Sequence, residues 1–380
     1  MIFLKRAGIS RFRREIVMNK AILILYFSSR KLKRAGLKMR RPFHKKKPVG
    51  AFITPQDTVD SIIEHPVLVE EKAKIYPRSK ENDIMAIQTL DKFASGFSKT
   101  TGQIYADGLN AIIKNHSNKV RVYRQIYSEE EIKKDHTKAN ASLHYFPSGK
   151  KSKFIIVCPG GAYANCEALS EGYPLALHLN GLGYTAFVLS YRVREEANNL
   201  APVEDLAAAV RYVLDRAEEL NIVPEDYAVL GFSAGGHLVG CYGLDNIGYK
   251  KFNMPKPGAI MIAYGLISTE KFPHCNKFLL GPEPDEKAVS AISIDKNITP
   301  DYPPVFFWAG KNDLLLDYHH HGDELEKALK MNEIPYEYHL YEKAQHGISL
   351  GIGTEAEGWV DKAAAFWAKH STNVRSTNVH

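Results

Sequence analysis

The sequence has few cysteines and no long apolar run, and each shortage excludes a class of protein. Only four of its 380 residues are cysteines, and their spacing fits neither a zinc site nor the disulfide framework of a small secreted domain. The apolar run at residues 21–27 has seven residues, whereas a membrane-spanning helix needs about 20. The sequence is therefore that of a globular protein, and its 44% hydrophobic content is sufficient for a large core.

Positive charge is concentrated in the first 50 residues. This segment has 16 of the 50 Lys and Arg and a single acidic residue, Glu15, whereas the rest of the chain has 34 basic and 42 acidic residues. The charge therefore indicates a basic N-terminal arm and not a basic groove in the main body. No base-stacking motif accompanies the arm, so we do not expect a nucleic-acid partner.

The cysteines and the arm both bear on localisation. Cys158 and Cys241 lie in apolar runs and are predicted to be buried free thiols, which suits a reducing compartment. We therefore expect a cytoplasmic protein with a disordered arm. Two alternatives stay open, because the apolar run at 21–27 has basic flanks: peripheral contact with an anionic membrane surface, and secretion.

Apolar runs alternate with helical patterns from about residue 121 onward. Most runs are continuous, which indicates strands buried on both faces, and two mixed segments before them predict antiparallel edge strands. The predicted strands are residues 121–127, 142–147, 154–158, 186–189, 227–230, 259–263, 305–308 and 336–341, and the predicted helices are 171–180, 202–217, 317–331 and 359–367. This alternation is typical of the α/β class, with a mostly parallel sheet flanked by helices on both faces.

The chain is predicted to have four parts. Residues 51–120 have weak periodicity and scattered prolines and glycines, which favours a helical extension or cap on the main domain. The parts are the basic arm (1–50), the extension (51–120), the main domain (121–370) and a tail (371–380). No internal repeat of domain size is present.

A strand, a tight turn and a helix are predicted around Ser233. The turn reads Gly231-Phe232-Ser233-Ala234-Gly235, a Gly-x-Ser-x-Gly pattern that follows an apolar run and precedes a helix-like segment. In a nucleophile elbow, small flanking residues allow a strained backbone that exposes the serine Oγ. The pattern therefore predicts hydrolytic or acyl-transfer chemistry.

A serine nucleophile needs a base, and the base needs an orienting acid. Asp313 and His346 each follow a predicted strand, so both are expected at the carboxyl edge of the sheet, where catalytic groups gather. We predict that His346 accepts the Ser233 proton and that Asp313 orients the imidazole. Asp317 is the alternative acid, although its position in the first turn of a helix favours a helix-dipole role.

Backbone N–H groups near the serine are expected to bind an oxyanion. One is Ala234, the residue after the nucleophile, at the positive end of a helix. The others are expected from the turn at residues 159–163, where Pro159 has no N–H and Gly161 and Ala162 are the candidate donors. A plain glycine turn is the alternative. The glycines predicted to be required by the loop and the elbow are Gly160, Gly231 and Gly235.

Two patterns that suggest a metal or a cofactor lack the necessary context. His319, His320 and His321 are adjacent, so on a helix they point in different directions and indicate a solvated helix face. His237 is predicted to pack at the start of a helix. Loose dinucleotide patterns at 181–186 and 351–356 lack the strand-turn-helix setting, so neither a metal nor a nicotinamide cofactor is expected.

These motifs resemble the α/β-hydrolase superfamily, in particular the esterase/lipase branch that includes bacterial carbohydrate-acyl esterases such as acetyl-xylan and feruloyl esterases. The resemblance extends over residues 142–370, through the segments 158–163, 171–174, 189–193, 205–210, 231–237, 310–313 and 346–347. One departure is that Pro159 and Ala162 replace the histidine and the last glycine of the branch's His-Gly-Gly-Gly motif. The resemblance implies a serine carboxylester hydrolase without metal or organic cofactor, working through an acyl-enzyme.

We therefore expect an esterase for short-chain or aromatic acyl esters, whose partner is a small-molecule or carbohydrate ester. A serine peptidase or an acyltransferase of the same fold would carry the same motifs. A hydrolase fold recruited for binding is a non-enzymatic alternative, which the intact Ser233, Asp313 and His346 disfavour. The oligomeric state does not follow from the sequence.

Overall fold

The computed structural model describes residues 45–76, 85–94 and 100–371. Most of the predicted basic arm and nearly all of the predicted tail lie outside these residues, so the disorder and membrane contact expected of the arm stay predictions. Among the helices that the structure describes, none combines the length and the apolar composition needed to cross a bilayer.

One mixed sheet organises the described part of the chain. Its strands are β1 (Tyr123–Gln125), β2 (Ser142–Phe146), β3 (Phe154–Cys158), β4 (Thr185–Ser190), β5 (Ala228–Phe232), β6 (Ala259–Ala263), β7 (Val305–Gly310) and β8 (Tyr336–Tyr341). They stand in the order β1-β2-β4-β3-β5-β6-β7-β8. β2 pairs antiparallel with both β1 and β4, and the other neighbours are parallel. The predicted α/β class is confirmed, and both strands predicted to be antiparallel are so, although only β1 lies at the edge of the sheet and β2 lies between β1 and β4.

Helices cover both faces of the sheet and form much of the described segment before it. The α-helices are α1 (Val59–Ile62), α2 (Lys72–Ile75), α3 (Leu90–Ala94), α4 (Gly102–Ser117), α5 (Glu129–Lys134), α6 (Tyr173–Gly181), α7 (Ala201–Leu214), α8 (Ala234–Gly243), α9 (Pro273–Leu280), α10 (Glu286–Ala291), α11 (Ile294–Asn297), α12 (Glu324–Met331) and α13 (Trp359–His370). Short 3₁₀ or π-helical turns lie at Val69–Glu71, His136–Asn140, Ala168–Gly172, Arg194–Leu200 and His319–Asp323. Pro202 lies in the first turn of α7, where its missing N–H removes no helical hydrogen bond.

Strand side chains alternate between two apolar layers, one on each face of the sheet. In β3, Ile156 belongs to the layer that includes α7 and α8, whereas Ile155 and Val157 belong to the layer that includes α6 and α13. This follows from the two-residue period of a strand, and burial on both faces explains the continuous apolar runs in the sequence. All three tryptophans of the chain lie in the second layer.

The segment before β1 adds to that second layer. Its helix α4 buries Leu109, Ile112 and Ile113, and it packs so closely against α6 that a Cβ at Gly108 would lie 3.0 Å from the Tyr173 Cβ. The described part of residues 51–120 is therefore built into the core of the sheet. The division of the chain at residues 50, 120 and 370 stays a prediction.

A buried charge cluster joins α7 to the end of β4. Asp205 accepts hydrogen bonds from the Arg192 backbone N–H at 2.8 Å, from the Arg192 Nε at 2.9 Å and from the Tyr127 hydroxyl at 2.7 Å. Arg192 also donates to Glu204 at 2.7 Å. Both Arg192 and Asp205 are buried, so either charge without the other would be strongly unfavourable.

Replacing Asp205 should therefore destabilise the fold. Asp205→Ala leaves the buried Arg192 charge without its main partner, so we expect the free energy of unfolding to fall by about 3–5 kcal/mol. Glu218→Ala is the control: its ion pair with Lys151, at 3.3 Å, is exposed, and the loss should be below about 1 kcal/mol. Urea denaturation followed by circular dichroism measures both. Equal effects would contradict this role for the charge cluster.

Candidate active site

Ser233 occupies a strained turn between β5 and α8. Its φ of 52° and ψ of −117° lie in a region that residues with side chains rarely adopt. The flanking glycines leave no room for a side chain: a Cβ at Gly231 would lie 2.0 Å from the Gly235 oxygen, and a Cβ at Gly235 would lie 2.0 Å from the Cys158 oxygen. The small residues of the Gly-x-Ser-x-Gly pattern are thus required by the space around the turn.

The structure brings Ser233, His346 and Asp313 into one hydrogen-bonded chain. His346 Nε2 lies 2.9 Å from Ser233 Oγ, and His346 Nδ1 lies 2.7 Å from Asp313 Oδ2. The three residues follow β5, β8 and β7, whose carboxyl ends meet at one edge of the sheet. The arrangement can take a proton from the serine hydroxyl while a carboxylate holds the imidazole.

Asp313 and Asp317, the alternative acid, differ in their hydrogen bonds. The second oxygen of Asp313 accepts the N–H groups of Leu315 and Leu316 at 2.8 and 2.9 Å. These bonds hold a buried carboxylate in place, with its other oxygen towards the imidazole. Asp317 instead accepts the backbone N–H of His319 at 2.9 Å. The structure therefore joins Asp313, and not Asp317, to His346.

The turn at residues 159–163, called here the glycine loop, follows β3 at the same edge of the sheet. Gly161 and Ala162 have φ angles of 124° and 54°, so the chain reverses tightly there. In the described part of the chain, the N–H groups of Gly161, Ala162 and Ala234 donate to no other residue. These predicted oxyanion donors are therefore free to bind an anion, and their role in doing so stays a prediction.

Two residues that the sequence analysis did not assign lie beneath the glycine loop. Glu171 accepts the Gly160 N–H at 2.6 Å and the Tyr264 hydroxyl at 2.8 Å. Burial raises the pKa of Glu171 to about 7. The sequence feature that could have pointed to Glu171 is its acidic side chain within the family segment 171–174, at the start of the predicted helix 171–180. Tyr264 directly follows β6 and had no distinguishing pattern.

His237, which follows the serine turn, has structural partners. His237 is buried, with Nδ1 2.8 Å from the Tyr163 hydroxyl and Nε2 2.8 Å from the Ile292 oxygen, and burial lowers its pKa to about 4. Its predicted packing at the start of a helix is confirmed.

The solvated face predicted for residues 319–321 is wrong for His321. This side chain is buried, its Nδ1 accepts the Ile267 and Ser268 N–H groups at 3.2 and 3.3 Å, and burial lowers its pKa to about 4. His319 and His320 are exposed and contact Asp323 and Lys271. Within the described ranges, no cluster of three or more His, Cys, Asp or Glu could hold a metal ion.

All four cysteines are buried and free, as predicted for Cys158 and Cys241. Burial raises the pKa of Cys166 to about 12. Because only a thiolate is a good nucleophile, this buried thiol is not a rival to the serine.

Known proteins match a large part of this chain in sequence and in fold. The BD-FAE family model matches residues 144–329. The acetyl ester-xyloside bifunctional hydrolase from Caldicellulosiruptor lactoaceticus has a solved structure with a TM-score of 0.57 and 30% sequence identity, covering 65% of this chain and 95% of that one. The fold and the site thus define an α/β hydrolase.

Relatives in sequence narrow this class. The acetylxylan esterase of Xylanibacter ruminicola is 28% identical over 214 residues, which are 54% of this chain and 43% of that protein. Endo-1,4-beta-xylanase B of Butyrivibrio fibrisolvens is 27% identical over 223 residues, or 55% of this chain and 34% of that protein. This chain belongs to the esterase branch of the α/β-hydrolase superfamily. It spans between a third and a half of the length of these two curated relatives.

The close approach of α8 to the glycine loop can be tested with one methyl group. In Gly235→Ala, the new Cβ would lie 2.0 and 2.5 Å from the Cys158 and Pro159 oxygens, so we expect the free energy of unfolding to fall by about 1–3 kcal/mol. Gly181→Ala is the control, because nothing lies within 4 Å of its Cβ and alanine favours a helix. Thermal unfolding compares them, and equal stability would argue against the close approach.

Proposed function

We propose that this protein is a serine carboxylic ester hydrolase with Ser233 as nucleophile, His346 as general base and acid, and Asp313 as the orienting acid. The observation that carries the proposal is the chain of two hydrogen bonds, at 2.9 and 2.7 Å, from the serine through the imidazole to the aspartate. Membership in the esterase branch supports it.

The proposed reaction has two halves. Ser233 Oγ attacks the acyl carbonyl while His346 Nε2 takes its proton, and the oxyanion accepts hydrogen bonds from Ala234 and from Gly161 or Ala162. The tetrahedral intermediate collapses as His346 returns the proton to the leaving alcohol, which leaves an acyl-serine. Water, activated by His346, then attacks the acyl-serine and releases the acid.

The proposed substrates are short-chain or aromatic acyl esters, including acylated carbohydrates. Two of the compared proteins are named for acetyl ester or acetylxylan hydrolysis, which supports an acetyl group on a sugar. Leu314 and Leu315 follow Asp313 directly and are 36% and 45% exposed. They offer an apolar surface close to the triad, which supports an apolar or aromatic group on one side of the ester.

Removing the serine hydroxyl should abolish turnover. We expect the wild type to hydrolyse p-nitrophenyl acetate and butyrate faster than octanoate, and Ser233→Ala to retain less than about a thousandth of that rate, because the nucleophile is gone. Steady-state absorbance assays measure this, with circular dichroism to check the fold. Wild-type turnover no higher than that of Ser233→Ala on every ester would contradict the proposed function.

Replacing Asp313 should lower turnover far more than replacing Asp317. Asp313→Asn keeps the shape but removes the charge that holds the imidazole tautomer, so we expect kcat to fall by roughly a thousandfold or more. Asp317→Asn is the matched control, four residues away, and should change kcat by less than about threefold, because within the described ranges the Asp317 side chain accepts a hydrogen bond only from the His319 N–H. The same assay compares them. Similar losses from both variants would disprove the assignment of the acid.

A further inference from the structure

We propose that Glu171 is a positioning residue, which holds the glycine loop against Ser233 through the Gly160 N–H and sets the His346 ring through the Tyr264 hydroxyl. The proposal rests on the proposed function, because it assigns a further residue to the same site. Three features carry it: the contact with the glycine loop, the contact with Tyr264, and the burial of Glu171.

The first contact controls where the oxyanion donors lie. Glu171 Oε2 accepts the Gly160 N–H at 2.6 Å. Gly160 packs closely against the serine turn, since a Cβ there would lie 2.9 Å from the Ser233 Cβ and 3.0 Å from the Phe232 oxygen. Gly161 and Ala162 are the next two residues of the chain. Glu171 therefore limits the movement of the loop that carries both candidate donors.

The second contact reaches the base. The Tyr264 hydroxyl donates to Glu171 Oε1 at 2.8 Å and accepts the Ser349 N–H at 3.1 Å. Ser349 lies three residues after His346, in the same loop. The Tyr264 ring also meets the His346 ring edge to face, with centroids 5.0 Å apart and planes at 63°. One phenol thus contacts both the imidazole and the loop that carries it.

Burying the ionisable side chain of Glu171 costs free energy, so the stability of the fold alone does not explain its position. The carboxyl group is buried, and burial raises its pKa to about 7. Hydrogen bonds from Tyr264 and Gly160 lower this pKa, the charge of Glu167 raises it, and the charge of His346 lowers it. A buried ionisable group is costly unless hydrogen bonds compensate. When His346 takes the serine proton it becomes positive, so an ionised Glu171 nearby would favour the transition state.

Tyr105 supplies a matched comparison with Tyr264. Burial raises the pKa of both phenols, and the charge of Glu171 raises each pKa further. Tyr264 donates a hydrogen bond to Glu171, whereas the Tyr105 hydroxyl has no hydrogen-bond partner among the described residues. Removing the two hydroxyl groups therefore separates the effect of the Glu171 hydrogen bond from the effect of a nearby buried phenol.

The test uses the full chain and the variants Glu171→Gln, Tyr264→Phe and Tyr105→Phe. Glutamine has the same size, but an NH₂ donor replaces one of the two carboxylate oxygens, and the Gly160 N–H and the Tyr264 hydroxyl donate to different oxygens, so it cannot accept both hydrogen bonds in this geometry. With p-nitrophenyl acetate we expect Glu171→Gln to lower kcat by roughly 10- to 100-fold, with KM changed by less than about threefold, because the loss falls on oxyanion binding in the transition state. Tyr264→Phe should lower kcat by a smaller factor, and Tyr105→Phe should match the wild type.

The pH profile separates positioning from simple structural support. In the wild type, Glu171 with a pKa of about 7 is protonated at lower pH, so kcat/KM should fall there with the ionisation of Glu171 as well as that of His346. In Glu171→Gln, kcat/KM at low pH should fall with the protonation of His346 alone, so the slope of its logarithm against pH should be smaller by one. Double substitution of Glu171 and Tyr264 should cost less than the product of the single losses, because the two residues share one hydrogen bond.

A second readout keeps this test separate from the proposed function. A fluorophosphonate probe labels an activated serine without requiring ester turnover. Slower labelling of Glu171→Gln than of the wild type supports the positioning role, even if the esters are not substrates. Glu171→Gln with wild-type labelling, kcat and pH profile would overturn the role and leave the esterase function intact. A wild type that neither labels nor hydrolyses would overturn both.

Discussion

The contact between the serine turn and the glycine loop constrains the rest of the site. β3 and β5 are parallel neighbours, paired so that Cys158 lies opposite Gly231. Each strand delivers its following loop to the same point, and the backbone of one loop lies where a side chain of the other would be. The two segments therefore pack directly against each other, backbone to backbone. This explains why the strained conformation of Ser233 persists, since the packing around it leaves no relaxed alternative.

The acid and the base reach that point from the far half of the sheet. β7 and β8 bring Asp313 and His346 to the same carboxyl edge, and β6 between β5 and β7 ends at Tyr264. β5 therefore supplies the serine, and four other parallel strands, β3, β6, β7 and β8, each supply one group beside it. Such convergence is characteristic of parallel sheets, in which every strand ends on the same side. It lets residues more than a hundred positions apart act as one unit.

The helices before β1 belong to the same physical unit. α4 packs on α6 and on the turn at Ala168–Gly172, which carries Glu171. Tyr105 of α4 lies near that carboxylate, and Leu109 is fully buried. The described extension thus contributes to the layer that supports the glycine loop from below.

The α/β class and the candidate triad could be predicted because their signals are local. A continuous apolar run predicts a buried strand, and the residue type just after it indicates which groups reach the sheet edge, which is how Asp313 was preferred to Asp317. The prediction of a solvated face is wrong for His321, because three adjacent side chains on a helix spread over about 200° and cannot all face solvent when one side of the helix is packed. In the turn at His319–Asp323, His321 is the side chain that faces the core.

Glu171 could not be assigned a role from the sequence, because its partners are distant in the chain. Gly160 is 11 residues away and Tyr264 is 93 residues away, and no periodicity connects them. The sequence by itself determined the eight strands, their order along the chain, four of the helices and the three residues of the hydrogen-bonded chain, since each depends on a short pattern and its place relative to a strand. Only the tertiary structure decided which buried polar groups meet, because the strand order sets those contacts.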